Sequence, residues 1–187
     1  MAVNTRVIIA DYDYLRPASL DETLHLLAEK PEARLFAGGT DIMIKLKCNE
    51  DYKMDYLLDI NHIPGLDRVE IDADGKLHIG PLVRLAQLEK EPAIAGRYPA
   101  LKTALHLMAS ISVRNMGTMA GNICNASPAA DSALPAICYG AELTLRSLRG
   151  SRTLKVEDFF TGPGFSVMAK DEMLVDIAFP APAENTG

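Results

Sequence analysis

The chain has 187 residues, 48% of them hydrophobic, and its 19 Lys and Arg against 25 Asp and Glu give a formal net charge of -6. That content can bury a core in one domain or two small ones, and cations this dispersed argue against a nucleic-acid surface, which needs massed Lys and Arg. No run reaches the roughly 20 apolar residues of a bilayer span, and the opening MAVNTRVIIADYDY turns acidic too early for a signal peptide, so a cytoplasmic location without a membrane span is expected.

In chain order, Pro17 leads into Ser19-Leu-Asp-Glu22, a capping box in which the serine hydroxyl and the glutamate each satisfy a free amide. Leu20, Leu24, Leu27 and Ala28 then repeat at helical spacing and predict a helix from Leu20 to Glu29. Arg34-Leu-Phe-Ala37 reads as a short buried strand running into Gly38-Gly39-Thr40-Asp41 and a helix over Ile42–Lys47. Tyr56–Ile60 is a second apolar strand. Beyond it the pattern changes to hairpins: Val69–Ile71 with Lys76–Ile79 about an Asp72–Gly75 turn, and Glu142–Arg146 with Arg152–Val156 about Arg149-Gly150. Helices are expected over Leu85–Lys90, Ala100–Ala109 and a stretch after Ala130. The whole reads as an α+β chain, with an amino-terminal part to about residue 60 and a larger hairpin-and-helix part beyond.

Cys48, Cys124 and Cys138 are odd in number and form no C-x-x-C pair, so neither a disulfide framework nor a zinc or iron–sulfur site is expected. His25, His62, His78 and His106 never fall at i, i+4 spacing, which leaves metal catalysis without ligands. No nucleophile triad or carboxylate pair stands out, and no catalytic residue is assigned.

Two glycine-rich stretches carry the chemistry. Gly38-Gly39 follows a strand and opens a helix, so unobstructed amides can point at an anion while Thr40 adds a hydroxyl. A plain turn is the competing reading. Gly117-Thr-Met-Ala-Gly-Asn122 supplies a second small-residue set, with Thr118 and Asn122 as side-chain donors. Together the pair suits a dinucleotide, whose diphosphate can be neutralised by oriented amides instead of lysines. Neither stretch fits a P-loop or the G-x-G-x-x-G fingerprint. Asp131, in Ser127-Pro-Ala-Ala-Asp131, has two open readings: Asp131 or Ser132 caps a helix with Pro135 in its first turn, or the Asp131 carboxylate accepts from ligand hydroxyls.

R-P-A-S-L-D-E-T, L-F-A-G-G-T-D-I, V-R-N-M-G-T-M-A-G-N-I-C-N-A-S-P-A-A-D-S-A and F-F-T-G-P-G occur in order across nearly the whole chain. In these pieces the chain resembles the FAD-binding (medium) subunit of the molybdenum hydroxylases, of the bacterial xanthine dehydrogenase and carbon monoxide dehydrogenase type. The resemblance implies a vanillyl-alcohol-oxidase-like (PCMH-type) fold, with an FAD-binding subdomain over residues 1–60, a second over 61–180 and a tail over 181–187. It implies that the FAD diphosphate is wrapped by Arg34, Leu35, Phe36, Ala37, Gly38, Gly39, Thr40, Asp41 and Ile42 together with Gly117, Thr118, Met119, Ala120, Gly121 and Asn122. Asp131 matches an acidic residue near the flavin's sugar-alcohol chain, Leu174 an apolar contact to the ring system, and Met108 the place of an aromatic in some relatives.

Two departures matter. Ala120-Gly121 stands where the family's second loop has two adjacent glycines, and the sequence stops at Ala183-Glu-Asn-Thr-Gly187 where the family continues into a carboxy-terminal domain, which is therefore expected to be absent from this chain. By the same resemblance, the substrate is oxidised on a molybdopterin subunit, electrons pass through an iron–sulfur subunit to FAD here, and NAD+ is the onward acceptor; molybdopterin and iron–sulfur clusters sit only on these partners. Two other classes compete: a stand-alone flavin reductase of the same fold, for which the chain is short, and a docking module that has lost FAD.

Overall fold

The computed structural model describes residues 11–48 and 54–183. Residues 1–10, part of the stretch weighed above as a leader, and residues 184–187 of the expected tail lie outside them.

The amino-terminal layer is a three-stranded parallel sheet. Its strands are β1 (Asp13–Leu15), β2 (Ala33–Phe36) and β3 (Tyr56–Asp59), in the order β1-β3-β2, with α1 (Leu20–Glu29) and α2 (Ile42–Cys48) as the connecting helices. α1 starts where the capping box puts it. Ser19 is extended (φ -146°) and its Oγ accepts from the Glu22 amide at 3.1 Å, while Glu22 Oε2 accepts from the Ala18 amide at 2.7 Å. β1 was not expected: its three residues carry too little pattern, and neighbouring β3 makes it a strand.

The second layer is a five-stranded antiparallel sheet, built from β4 (Val69–Ile71), β5 (Leu77–Ile79), β6 (Glu142–Ser147), β7 (Gly150–Lys155) and β10 (Met173–Phe179) in the order β4-β5-β10-β6-β7. A short hairpin, β8 (Phe160–Gly162) with β9 (Phe165–Ser166), precedes β10. Gly75 (φ +79°) turns the first hairpin, where Asp72 Oδ1 accepts from the amides of Asp74 and Lys76. Ser147 pairs with Gly150, so Leu148-Arg149 form the tip of the second hairpin and Gly150 already belongs to β7. The central strand β10 shows no strand pattern in sequence, because its run MLVDIAF is buried on both sides and does not alternate.

That strand carries a bulge. Leu174 pairs with Leu145 but Asp176 with Thr144, leaving Val175 as the extra residue.

Five helices pack on the inner face of this sheet, α3 (Leu85–Lys90), α4 (Pro92–Arg97), α5 (Pro99–Leu107), α7 (Met119–Cys124) and α8 (Ala133–Cys138), and α6 (Ile111–Met116) lies against α3. Leu77, Ile79, Leu88, Leu101, Leu105, Met119, Ile123, Leu143, Leu145, Phe159, Ile177 and Phe179, each fully buried, form the core between them. At about 1.5–3 kcal/mol per buried large apolar side chain, this layer is held by burial and not by the propensity of such short helices. A second core, with Leu24, Leu27, Leu58, Ile60, Leu66, Leu82 and Met173, joins the parallel sheet to the foot of β10. No helix among the described residues is long and apolar enough to cross a membrane.

The low-bulk segment around Gly117 differs from expectation. It is two short helices, α6 and α7, meeting at Gly117-Thr118, because Ser110 Oγ caps the first by accepting from Val113 and Thr118 Oγ1 caps the second by accepting from Gly121.

Candidate functional site

A cleft of about 610 Å³ lies between the two layers, within the range of about 300–1,000 Å³ common to small-molecule and cofactor sites. The two glycine turns meet there. A side-chain carbon on Gly38 would collide with the Met116 carbonyl oxygen and fall 2.7 Å from the Gly117 Cα, so the backbones touch with nothing between them. Gly39 has φ +71° and turns the chain from β2 into α2. Among the described residues, the main-chain amides of Gly38, Gly39, Thr40 and Asp41 have no acceptor, and they sit on the cleft wall. Unused donors beside low bulk are what an anionic oxygen needs.

Of the residues singled out in sequence, all but two line this cleft: Arg34, Leu35, Ala37, Gly38, Gly39, Thr40, Asp41, Ile42, Met108, Gly117, Thr118, Ala120, Gly121, Asn122, Asp131 and Leu174. Phe36 and Met119 do not. The Phe36 ring packs beneath Gly39 beside Leu46, Met54 and Leu57, and Met119 is fully buried in the main core. The short helix α7 explains Met119, since one face of a helix must turn inward whatever the bulk of its neighbours.

The polar side chains are oriented by specific bonds. Asn122 Oδ1 accepts from Ser132 Oγ at 2.7 Å, and its two N–H groups find no acceptor among the described residues. Ser132 therefore does not cap α8 with its side chain, and the Asp131 carboxylate is exposed, with no bond to any described residue. Of the residues the capping reading offered, Ser132 holds the N-cap position of α8, but neither it nor Asp131 makes a side-chain cap bond. Pro135 does fall in the first turn of α8.

Several cleft residues escaped the sequence reading. Lys45, on α2, bonds Asn125 Oδ1 across the cleft at 2.6 Å; its place one turn after Asp41 was the available signal. Ala109 adopts φ +49°, held by Arg114, whose guanidinium donates to the Met108 and Ala109 carbonyls at 2.9 and 3.0 Å. Glu89 takes the same arginine at 3.1 Å and His106 at 2.8 Å, and its carboxyl titrates below the ordinary range, first through the His106 bond and then through Arg114. At the other end, Met168, Ala169, Lys170, Glu172 and Met173 join Leu174 on the wall. Glu172 is held by Arg152 at 2.7 and 2.8 Å and by the Ala169 amide at 2.8 Å. The arginine bond, more than offsetting burial, keeps its carboxyl below the usual value. Burial pushes the Cys124 thiol up to about 12, so it stays protonated and unreactive. Among the described residues no group of His, Cys, Asp and Glu could hold a metal.

A helix-and-sheet domain with free amides at one end of a cleft and apolar side chains at the other has the build of a dinucleotide-cofactor protein. Residues 10–182 match the family model described as the FAD binding domain in molybdopterin dehydrogenase, and the chain belongs to that family. It is 38% identical over 175 residues to the xanthine dehydrogenase FAD-binding subunit of Escherichia coli O157:H7, covering 93% of this chain and 60% of that protein. It is 34% identical over 181 residues to the caffeine dehydrogenase subunit beta of Pseudomonas sp., covering 94% and 60%. Among solved structures, a carbon monoxide dehydrogenase from Hydrogenophaga pseudoflava superposes with a TM-score of 0.91 at 31% identity, over 97% of this chain and 63% of that one. These relatives are oxidoreductase subunits, and this chain spans about 60% of their length.

Proposed function

We propose that this chain binds FAD in the cleft and serves as the flavin subunit of a molybdenum-containing hydroxylase. The observation that carries the reading is the contact of Gly38 with Met116 and Gly117, which brings two low-bulk turns and four free amides to one place. The residues fit the cofactor's diphosphate: the amides of Gly38–Asp41, the Asn122 N–H groups and Lys45 are donors, and no bulky side chain stands on either turn.

In this reading Asp131 accepts from the hydroxyls of the sugar-alcohol chain, while Met108 and Leu174 exclude water from the ring system. Phe36 and Met119 support the turns from behind. Bound flavin supplies the exchange between one-electron and two-electron redox steps; the chain's own residues bind, orient and shield it, which agrees with the lack of any assigned nucleophile or base. The PCMH-type fold, the division into subdomains over 1–60 and 61–180, the iron–sulfur and molybdopterin partners and NAD+ as onward acceptor belong to the same proposal, supported by the resemblance of the motifs.

The test is direct. Purified protein is expected to carry, or take up on titration, one FAD per chain with flavin absorbance. A colourless chain that takes up no added FAD overturns the reading and favours the docking module.

A further inference from the structure

Two polar side chains that do not line the cleft tie its two glycine turns together. Asn61 follows β3, and its Nδ2 donates to the Ala37 carbonyl at 2.9 Å and to Asp59 Oδ1 at 2.7 Å. Its Oδ1 accepts from Arg84 Nη2 at 2.7 Å. Arg84 Nη1 in turn donates to the Met116 carbonyl, and the next residue, Leu85, gives its amide to the Gly117 carbonyl at 2.9 Å. The path therefore runs from the residue before Gly38 to the residue before Gly117.

Every hydrogen-bonding group of the Asn61 amide is used, and its anchor Asp59 is only 5% exposed and also accepts from Tyr14. The guanidinium is a planar fork whose N–H directions are fixed, so it holds its two acceptors at a set spacing, which a rotatable ammonium does not. The Met116 oxygen that it grips is the atom a side chain on Gly38 would strike, so moving that oxygen moves the first turn.

We infer that Asn61 and Arg84 form a strut that sets the separation of the two turns and are positioning residues for the cofactor's diphosphate, which neither touches. The inference rests on the FAD reading above. Its test titrates FAD and riboflavin, which lacks phosphate, into the 187-residue chain. Arg84→Met is expected to weaken FAD about 10- to 100-fold, as loss of an outer support does elsewhere, while riboflavin affinity changes less than about twofold. Arg84→Lys recovers part of the loss, Asn61→Ala matches Arg84→Met, and the double variant loses little more than either, because one support has been cut twice.

Unchanged FAD affinity in Arg84→Met and Asn61→Ala overturns the strut alone, as do equal losses for FAD and riboflavin or a double variant that loses the sum. Should Arg84→Met not fold, Asn61→Ala and Arg84→Lys decide by the same criteria. A wild-type chain that binds no FAD overturns the underlying reading, and the strut with it.

Discussion

The two glycine turns are glycine-rich for different reasons. At the first, the protein itself demands glycine: Gly39 has φ +71°, a side chain on it would strike the Phe36 ring, and one on Gly38 would strike backbone. At the second, Gly117 and Gly121 have close neighbours but no collision; a side-chain carbon on Gly117 would lie 3.2 Å from the Val113 carbonyl oxygen, and one on Gly121 only 3.0 Å from the Thr118 hydroxyl. Absence of bulk at the first turn is thus explained by folding; at Gly121 the tight Thr118 hydroxyl accounts for part of it, and the FAD reading proposes a ligand for the rest. Gly39→Val is therefore expected to disturb the fold as well as the cleft.

The largest effect that would sharpen the contrast is Gly38→Ala. It is expected to part the turns, costing about 3 kcal/mol of stability together with FAD binding, read by thermal melting and flavin titration. Gly39→Ala follows at about 1–2 kcal/mol from its left-handed backbone alone, with the Phe36 ring adding to it. Gly121→Ala should break the symmetry between stability and binding: melting changes by less than about 1 kcal/mol, since alanine is the better helix former, while FAD affinity falls about tenfold, or 1.4 kcal/mol. A matching fall in both would mean that the second turn, like the first, serves packing.

Smaller effects lie away from the turns. Glu172→Gln should cost about 1 kcal/mol at neutral pH, discounted for the exposure of Arg152. Because the folded carboxyl titrates below its unfolded value, that stability is present above about pH 4.5 and is lost as pH falls through the depressed value. The variant's melting temperature should therefore vary less with acid than the wild type's. His78 is the smallest case. Burial lowers its basicity, but its bonds to Asp176 at 2.7 Å and Asp72 at 3.2 Å outweigh this and raise it. Its contribution is full below about pH 6.5 and fades as pH rises through the raised value. His78→Gln should flatten that alkaline decline in a melting series and leave FAD affinity alone, since the residue lies on the outer side of the antiparallel sheet.

What could be read from sequence was local. Ser19 with Glu22, the Asp72–Gly75 turn and the periodicity of α1 rest on contacts a few residues apart, and each element appears where its pattern puts it. The cleft lining was legible through family motifs whose residues converge on it from separate segments of the chain. What stayed hidden depends on distant partners: β1 is a strand because of β3, Met119 turns inward because a helix forms there, and Asn61 and Arg84, 23 positions apart, carry no motif at all. Asp131 has two readings in sequence because an aspartate beside a helix start can cap it or face solvent, and only the fold shows Ser132 at the N-cap with its hydroxyl bonded to Asn122.

The extra residue in β10 has its own consequence. Met173 points into the core shared with α1, Leu174 into the main core and the cleft wall, and Asp176 back to the outer side with Arg68 and His78. A regular strand would put Leu174 and Asp176 on one side. Val175 resets the count, so one strand serves an oily interior at its start and a charged exterior two residues later. Deleting that single valine would make Leu174 and Asp176 neighbours on a regular strand, still facing opposite sides, and would remove only the bulge.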